Sequence, residues 1–228
     1  MPTVDLLFPL IGVSIATDHG YALYAALSRL APGLHQPGCR VRIGPVRGVY
    51  QGQGILQLDS RFSRLRIRLL PDDIPLVLTL AGKSIDVGGH RLRLGVPQVR
   101  SIVPAPNLVA RIVAIKASSP RADPADKHSR NREATKRYLE PNTFLEAVCR
   151  ELVRKKIVAQ ADLPLVETGP HAGQPRRRVL QIDGKKIVGF SVLVQGLSAE
   201  ESIRLQEEGI GGRSKMGCGF FVPMRQGS

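Results

Sequence analysis

The sequence predicts an α+β protein that consists of two tandem βαββαβ modules, each with an antiparallel sheet. Segments in which apolar and polar residues alternate indicate strands, and segments with apolar residues three or four positions apart indicate helices. These segments follow one another as strand, helix, strands, helix, strand, and the order occurs twice within 228 residues. That length is sufficient for two small modules, which we place at residues 1–105 and 106–228.

The first module is predicted to begin with a strand and a helix. An apolar run at residues 3–8 predicts an edge strand, because it ends at Pro9, which cannot donate a hydrogen bond to a neighbouring strand. The first helix starts with Asp18 as its N-cap and ends before Pro32. The remaining elements are strands at residues 40–43, 64–69 and 91–94 and a helix at residues 72–81, capped by Asp72 or Asp73.

The second module contains two strong local signals. Asp183-Gly184 is a turn pair between two apolar runs, and it predicts a β-hairpin. Ser198 followed by Glu201 predicts a capping box at the start of a helix. The predicted elements are strands at residues 108–117, 179–182, 187–194 and 219–222 and helices at residues 141–158 and 198–208.

Residues 118–137 differ from the rest of the second module. They are polar, mixed in charge and nearly free of large apolar side chains, so we expect a mobile loop or a frayed helix start. Each module is then a ferredoxin-like unit, with helices on one face of the sheet and the other face open.

Composition favours an anionic partner. The chain has 33 Lys and Arg against 19 Asp and Glu, a net charge of +14, which favours nucleic acid or an anionic membrane surface. No apolar run approaches the roughly 18 residues that span a bilayer. The N-terminus lacks the features of a signal peptide. We therefore expect a cytoplasmic protein that binds nucleic acid.

The cysteine and aromatic content narrows this expectation further. The three cysteines, Cys39, Cys149 and Cys218, are too widely spaced for a zinc site or a disulfide framework, so we predict no metal site. Tryptophan is absent and aromatic residues make up 4% of the chain. Contacts to the nucleic-acid backbone, rather than base stacking on many rings, should therefore dominate binding.

Arginine alternates with aliphatic residues in the predicted strands of the first module. Because side chains of a strand alternate between its faces, the arginines should share one face of the sheet. The alternative is the ordinary polar face of an antiparallel sheet. We predict that the following basic residues bind nucleic acid: Arg29, Arg40, Arg42, Arg64, Arg66, Arg68, Arg176, Arg177 and Arg178.

The glycine-rich loop at residues 209–219 is a second predicted anion site. Successive backbone N–H groups of such a loop can bind an anion, and Arg213 and Lys215 would support phosphate binding. The loop precedes a strand, whereas the glycine loop of a nucleotide site opens a helix. The alternative is a surface turn. The glycines predicted to approach the nucleic acid are Gly211, Gly212 and Gly217.

Catalytic candidates lie around the first helix. His19 stands at its start and His35 just after its end, where a general base would be held by a rigid element. Tyr21 and Ser28 share one face of the same helix with Tyr24. Structural roles are the alternative for each of them. Metal-free acid–base chemistry suits RNA, because RNA carries its own nucleophile, the 2′-hydroxyl.

These features together resemble a known family. The residues that carry the resemblance are the helix that begins Asp18-His19-Gly20-Tyr21 and continues to Arg29, the Leu34-His35 pair, and the glycine loop. With the tandem modules, they resemble the CRISPR repeat-RNA endoribonucleases, the sixth Cas family of the repeat-associated mysterious protein superfamily. The likeness spans nearly the whole chain and is greatest to the compact myxobacterial-type variants.

The resemblance implies a metal-independent endoribonuclease without a cofactor. It would cleave CRISPR precursor RNA within each repeat by 2′-hydroxyl attack, leaving 5′-hydroxyl and 2′,3′-cyclic phosphate ends. By the family pattern His35 is the first choice for the general base and His19 the second, and Tyr21 or Ser28 would orient the 2′-hydroxyl. Because no lysine precedes Lys83, the lysine that some members use would be replaced by Arg29, Arg40 or Arg42.

Two other functions stay open at this level. The chain could be a non-catalytic RNA-binding subunit of a CRISPR ribonucleoprotein complex, or a general ribosome- or mRNA-associated protein. CRISPR repeat RNA is the expected partner, with other Cas proteins of an effector complex as further candidates. The expected assembly is a monomer or a homodimer.

Overall fold

The computed structural model of the chain describes residues 3–36, 38–115 and 140–224. The expected mobile loop at residues 118–137 lies outside these described residues. Within them, the strands form three antiparallel sheets, of which two are the main sheets of the two modules and one is a small sheet in the first module.

The first module contains nine strands and two α-helices among its described residues. The strands are β1 (Val4–Ile11), β2 (Ser14–Ala16), β3 (Arg42–Ile43), β4 (Val49–Tyr50), β5 (Ile55–Gln57), β6 (Arg64–Leu69), β7 (Ser84–Val87), β8 (His90–Leu94) and β9 (Gln98–Ser101). The helices are α1 (Gly20–Leu30) and α2 (Ile74–Leu78), with short 3₁₀ turns at Pro32–His35 and Pro71–Asp73. The main sheet has the order β3-β6-β1-β8-β7, and β9 also pairs with β1.

The second module has a sheet of five strands in the part of the chain that the structure describes. Its elements are β10 (Asn107–Val113), α3 (Pro141–Arg154), β11 (Gln160–Asp162), β12 (Arg177–Ile182), β13 (Lys185–Gln195), α4 (Ala199–Glu208), a 3₁₀ turn at Ser214–Met216 and β14 (Phe221–Pro223). The order is β11-β13-β10-β14, and β12 pairs with the other part of β13.

The two main sheets share one topology. In each, the first strand lies in the centre, between the strand that precedes the second helix and a strand that follows it. This arrangement gives β6-β1-β8 in the first module and β13-β10-β14 in the second. The predicted α+β fold with tandem ferredoxin-like modules and antiparallel sheets is thereby confirmed.

Two local predictions in the second module are also confirmed. Asp183 and Gly184 form the two-residue turn between β12 and β13, and both have positive φ angles, 48° and 72°. Ser198 Oγ accepts a hydrogen bond from the backbone N–H of Glu201, and the Glu201 carboxylate accepts one from the Ser198 N–H. These signals succeed because their contacts lie within a few residues along the chain.

The prediction of an edge strand at residues 3–8 is wrong. β1 is the central strand, paired with β6 on one side and with β8 and β9 on the other. Pro9 is tolerated there because its carbonyl still accepts a hydrogen bond, from Gly95 N–H at 2.8 Å. Burial overrides the proline signal, since Leu6, Phe8 and Leu10 are at most 1% exposed in the core of the module.

The starts of both helices in the first module also differ from the prediction. α1 begins at Gly20 with His19 as N-cap and without a side-chain capping bond. The Asp18 carboxylate instead accepts a hydrogen bond from Gln181 N–H of the second module, at 2.7 Å. α2 is only five residues long, and Asp73 makes no capping hydrogen bond. The Asp18 carboxylate, predicted to cap its own helix, therefore binds a residue of the second module instead.

Candidate nucleic-acid interface

Two arginines of the first module, one on β6 and one on β3, donate hydrogen bonds to the second module. Arg68 is 1% exposed, and its Nε and Nη2 donate to the two carboxylate oxygens of Asp5 at 2.8 and 3.0 Å. Its Nη1 donates to the carbonyls of Gln206 and Phe221 at 2.7 and 3.0 Å. The guanidinium carbon lies 4.4 Å from the centroid of the Phe220 ring. Arg68 thus binds the second module to β1.

Arg42 makes a parallel connection. Its Nη1 donates to the carbonyl of Glu208 at the end of α4, at 2.6 Å, and its Nη2 donates to the carbonyl of Gly219 at 2.8 Å. Burial, and next the charge of Arg68, lower the pKa of Arg42 to about 10. We call Arg42 and Arg68 the seam arginines. The prediction that Arg68 binds RNA is corrected, because all three of its nitrogens donate to carbonyls and a carboxylate inside the protein. Arg42 is half-buried and its Nε has no partner among the described residues, so its predicted contact stays a prediction.

The open faces of the two sheets meet at a cleft of about 500 Å³. On the first module, β1 places Leu7 between Arg66 of β6 and Gln98 of β9. On the second module, Val109, Ser191 and Val222 line the opposite wall. Among the described residues, the lining contains no carboxylate and eight arginines, which we call the arginine cleft: Arg47, Arg61, Arg64, Arg66, Arg100, Arg111, Arg176 and Arg178.

Several cleft arginines repel one another. The pKa of Arg111 is lowered to about 10, first by burial and then by the charge of Arg178. The pKa of Arg178 is lowered by burial and by the charge of Arg176. The Arg178 Nε is buried without a hydrogen-bond partner among the described residues. An anion bound in the cleft would relieve this repulsion and supply the missing acceptor.

Acidic partners hold some of these side chains from outside the lining. Asp5 lies 3.2 Å from Nη1 of Arg66, and Glu167 lies 3.6 Å from Nη2 of Arg176. Arg111 lies in an irregular part of the β10–β13 ladder, and its Nη2 donates to the carbonyl of Thr17 at 3.0 Å. These contacts orient the arginines while the face toward the cleft keeps its positive charge. The arrangement suits the phosphates of a polyanion.

The glycine loop packs between the modules. A Cβ on Gly211, whose φ is +77°, would lie 2.3 Å from the carbonyl oxygen of Ala114. The Gly212 N–H donates to that same carbonyl at 3.1 Å, and Gly217 is buried against Pro45. The prediction that Gly217 approaches nucleic acid is therefore corrected. Gly212 is exposed and has open space where a Cβ would stand, so its predicted contact stays a prediction. The predicted contacts of Gly211 and Arg213 stay predictions.

The loop also brings Lys215 to the region around His35. The Lys215 ammonium donates to the carbonyl of Leu34 at 2.5 Å, one residue before His35. The His35 ring is exposed and its Nδ1 lies 3.0 Å from the hydroxyl of Tyr24, which is 8% exposed. The two ring centroids are 5.0 Å apart. His35, Tyr24 and Lys215 form what we call the His35 cluster.

His19 is not placed to act as a general base. It is 2% exposed, its Nδ1 lies 2.7 Å from the carbonyl of Ala16, and its Nε2 accepts the Val46 N–H at 2.9 Å. Burial lowers the pKa of His19 to about 4. Both nitrogens of the neutral ring thus satisfy the backbone, with Nδ1–H donating to Ala16.

The two remaining catalytic candidates are Ser28, which is buried, and Tyr21, which is bonded to the second module. Ser28 is 4% exposed, so its hydroxyl lies inside the protein rather than on a solvated face. The Tyr21 hydroxyl donates to the Asp183 carboxylate at 3.2 Å, and this bond raises the pKa of Tyr21. Of the predicted catalytic set, His35 alone is both exposed and held by a polar neighbour.

The other predicted basic residues are dispersed. Arg29 and Arg40 are exposed near the two ends of the segment that contains His35, and Arg177 lies 5.9 Å from the Phe190 ring centroid. Sequence reasoning did not assign Tyr24 a role in the site, although it named the residue on the same helix. It also omitted four arginines, which occur singly and outside a repeated pattern: Arg47, Arg61, Arg100 and Arg111.

Two classes of site are not found in the described part of the chain. It contains no group of three or more His, Cys, Asp or Glu residues that could hold a metal ion. None of its helices has the length and apolar character needed to cross a membrane.

The fold is a pair of tandem ferredoxin-like modules with a basic cleft between them, and comparison with known sequences shows to which family the chain belongs. The sequence model of the family described as Cas6 Crispr matches residues 4–226. The CRISPR-associated endonuclease Cas6 of Myxococcus xanthus strain DK1622 is 36% identical over 223 residues, covering 98% of this chain and 82% of that protein. The chain belongs to the Cas6 family.

Solved structures show the same fold. The product of a Cas6-related gene from Pyrococcus furiosus superposes with a TM-score of 0.62 at 13% identity, covering 99% of this chain and 100% of that one. A protein described as a RAMP protein that binds different RNA substrates superposes with a TM-score of 0.60 at 10% identity, with the same coverage. At these identities the likeness concerns the fold.

Proposed function

We propose that this protein is a metal-independent endoribonuclease that cleaves CRISPR precursor RNA within its repeats. Membership of the Cas6 family and the endonuclease name of the Myxococcus xanthus relative support the reaction class. The observation that carries the proposal is the His35 cluster, in which an exposed histidine, a tyrosine and a lysine meet beside the glycine loop.

His35 is the general base of the proposed reaction. When Nδ1–H donates to the Tyr24 oxygen, the lone pair on Nε2 is available to take the proton of a ribose 2′-hydroxyl. The 2′-oxygen then bonds to the adjacent phosphorus, and the bond from phosphorus to the 5′-oxygen breaks. The departing 5′-oxygen takes up a proton from water, which leaves a 5′-hydroxyl and a 2′,3′-cyclic phosphate.

Lys215 and Tyr24 have supporting roles. The Lys215 ammonium would stabilise the extra negative charge that develops on the phosphoryl oxygens in the transition state. No lysine precedes Lys83 in the first module, so Lys215 of the glycine loop would take the part of the lysine that some family members use. Tyr24 holds the His35 ring in one orientation. Arg29 and Arg40 are exposed and would contact the RNA backbone near the reacting nucleotide.

The arginine cleft is the proposed binding surface for the rest of the RNA. Eight arginines without a carboxylate in the described lining suit a run of phosphates. RNA binding would then depend on the arginine cleft and cleavage on the His35 cluster. Variants in one of these two places can therefore separate binding from cleavage.

A cleavage assay in EDTA tests the proposal. His35→Ala should lower the cleavage rate of a repeat RNA by about 10²- to 10⁴-fold, the usual contribution of a general base, with affinity retained. His171→Ala, a change at an exposed histidine outside the His35 cluster, is the matched control and should cleave normally. A single 2′-deoxy substitution 5′ of the scissile phosphate should abolish cleavage.

Three outcomes would contradict the proposal. Cleavage of the deoxy substrate would exclude 2′-hydroxyl attack. A requirement for divalent metal would exclude the metal-independent reaction. Tight binding of the repeat without cleavage over hours would favour an RNA-binding subunit instead.

A further inference from the structure

The arginine cleft contains one aromatic side chain that is open to solvent. Among the described phenylalanine and tyrosine side chains, two are exposed: Tyr50 at 62% and Phe62 at 41%. Phe62 lines the cleft together with its neighbours Arg61 and Arg64, whereas Tyr50 lies on β4 outside that lining. An apolar ring held in water among cations is typical of surfaces that bind single-stranded nucleic acid.

Phe62 is carried by a fixed turn. Its backbone N–H donates to the carbonyl of Asp59 at 3.1 Å, and the Ser63 hydroxyl donates to the carbonyl of Arg47 at 2.8 Å. The Asp59 N–H donates to the same Ser63 hydroxyl at 3.0 Å, and the Asp59 carboxylate pairs with Arg61. Because the turn is already ordered, a base that stacks on the ring would bind with little loss of backbone entropy.

The size and charge of the cleft limit the ligand. A volume of about 500 Å³ is in the range of sites that hold one small molecule, so it suits one unpaired base with its neighbouring phosphates. The arginines on both walls can bind phosphates on either side of a base. An aromatic ring flanked by such cations matches a base together with its neighbouring phosphates.

We propose that Phe62 stacks on an unpaired nucleobase while the cleft arginines bind the neighbouring phosphates, so that the arginine cleft is a single-strand site. The proposal rests on RNA being the substrate, as proposed above. It adds that one position of the RNA is held by stacking, through a side chain outside the His35 cluster.

Fluorescence anisotropy with a labelled single-stranded oligouridine and a blunt RNA duplex of equal length tests this site. Phe62→Ala should weaken single-strand binding by about fivefold or more, the range found for one stacked base, and leave duplex binding unchanged. Phe62→Trp should retain the wild-type affinity, while Phe62→Leu, apolar but not aromatic, should behave like alanine. Tyr50→Ala is the matched control and should bind as the wild type does.

Salt dependence separates stacking from charge. Phe62→Ala should leave the slope of log affinity against log salt unchanged, because the ring releases no counterions, whereas Arg64→Gln should lower it. Single-strand affinity within twofold of wild type for Phe62→Ala, or full affinity for Phe62→Leu, would overturn the stacking site. Equal loss of single-strand and duplex binding would also overturn it.

The two proposals fail in different ways. If wild-type protein neither binds nor cleaves RNA, the proposed function fails, and the nucleobase site fails with it. If wild-type protein binds and cleaves RNA and the Phe62 variants bind normally, only the nucleobase site fails. Thermal unfolding of each variant checks that the fold is retained.

Discussion

At one end of β6, Arg68 is buried against the second module; toward the other end, Arg64 and Arg66 line the arginine cleft. The three arginines alternate with Leu65 and Ile67 along the strand, so they lie on the same face of the sheet. Arg68 uses its donors on Asp5 and on backbone carbonyls of the second module. Arg64 donates to carbonyls of its own turn and remains beside open space.

The difference shows that the distance to the second module decides what each arginine does. Where β14 and α4 close against β6, a buried guanidinium must be paired and hydrogen-bonded, because an unpaired buried charge is very costly. Where the two sheets separate, repulsion among Arg111, Arg176 and Arg178 persists, and the surface suits an anion.

The two histidines around α1 show the same contrast. His19 is buried and both of its ring nitrogens satisfy backbone groups of the first module. His35 is exposed and has one nitrogen held by Tyr24. One histidine therefore stabilises the fold, and the other remains available for chemistry.

The largest effect is expected at Arg68, one of the two seam arginines. Arg68→Met should lower the free energy of unfolding by about 3–5 kcal/mol, because it leaves the Asp5 carboxylate buried without its bidentate partner. Urea unfolding at pH 7 measures the change. Arg64→Met, at the cleft end of the same strand, is the control and should change stability by about 1 kcal/mol or less. Equal losses for both variants would remove the distinction between seam and cleft.

The second effect concerns the pH dependence of stability. His19 has a pKa of about 4 in the folded protein, below its ordinary value of 6.5, so the unfolded chain binds the proton more readily. The stabilisation is present above pH 6.5 and is lost as the pH falls through about 4. The loss from His19 should reach about 3 kcal/mol, at about 1.4 kcal/mol per pKa unit.

Unfolding measured between pH 7 and pH 4 tests this assignment. His19→Gln should be less stable at neutral pH and should lose less stability on acidification, because glutamine does not titrate. An identical acid loss in wild type and His19→Gln would assign the pH dependence to other groups.

The third effect is on RNA affinity. Each cleft arginine that contacts a phosphate should contribute about 0.7 to the slope of log affinity against log salt for single-stranded RNA. Arg64→Gln and Arg178→Gln together should therefore lower the slope by about 1.4 and weaken different RNA sequences about equally. Arg91→Gln, an exposed arginine on β8 outside the described lining, should leave the slope unchanged. A slope that all three changes lower equally would indicate diffuse attraction rather than a cleft.

The smallest effect is expected at Arg213, and it should show whether this side chain of the glycine loop contacts RNA. Arg213 has a φ of 61°, a conformation that glycine adopts without strain. Arg213→Gly should therefore leave the unfolding free energy unchanged or raise it by up to about 1 kcal/mol. If Arg213 contacts a phosphate, the same variant should lower the salt slope by about 0.7. An unchanged slope would mean that the Arg213 side chain does not bind RNA and that the loop only packs between the modules.

The sequence by itself determined the features that depend on near neighbours. The hairpin at Asp183-Gly184, the capping box at Ser198 and the alternation in β6 each involve residues a few positions apart, and all three are present in the structure. The repeated order of strands and helices was sufficient to predict the tandem modules. Local backbone geometry and the burial of apolar side chains act in the same direction here.

Only the tertiary structure decided which polar side chains serve the fold and which face the cleft. Arg68 meets Gln206 across 138 positions, and Lys215 meets Leu34 across 181 positions. No local pattern encodes such contacts, since the same arginine–aliphatic alternation produces both a buried clamp and an open surface. A charged side chain must either find acceptors when it is buried or stay near solvent, and the packing of the two modules determines which of these happens.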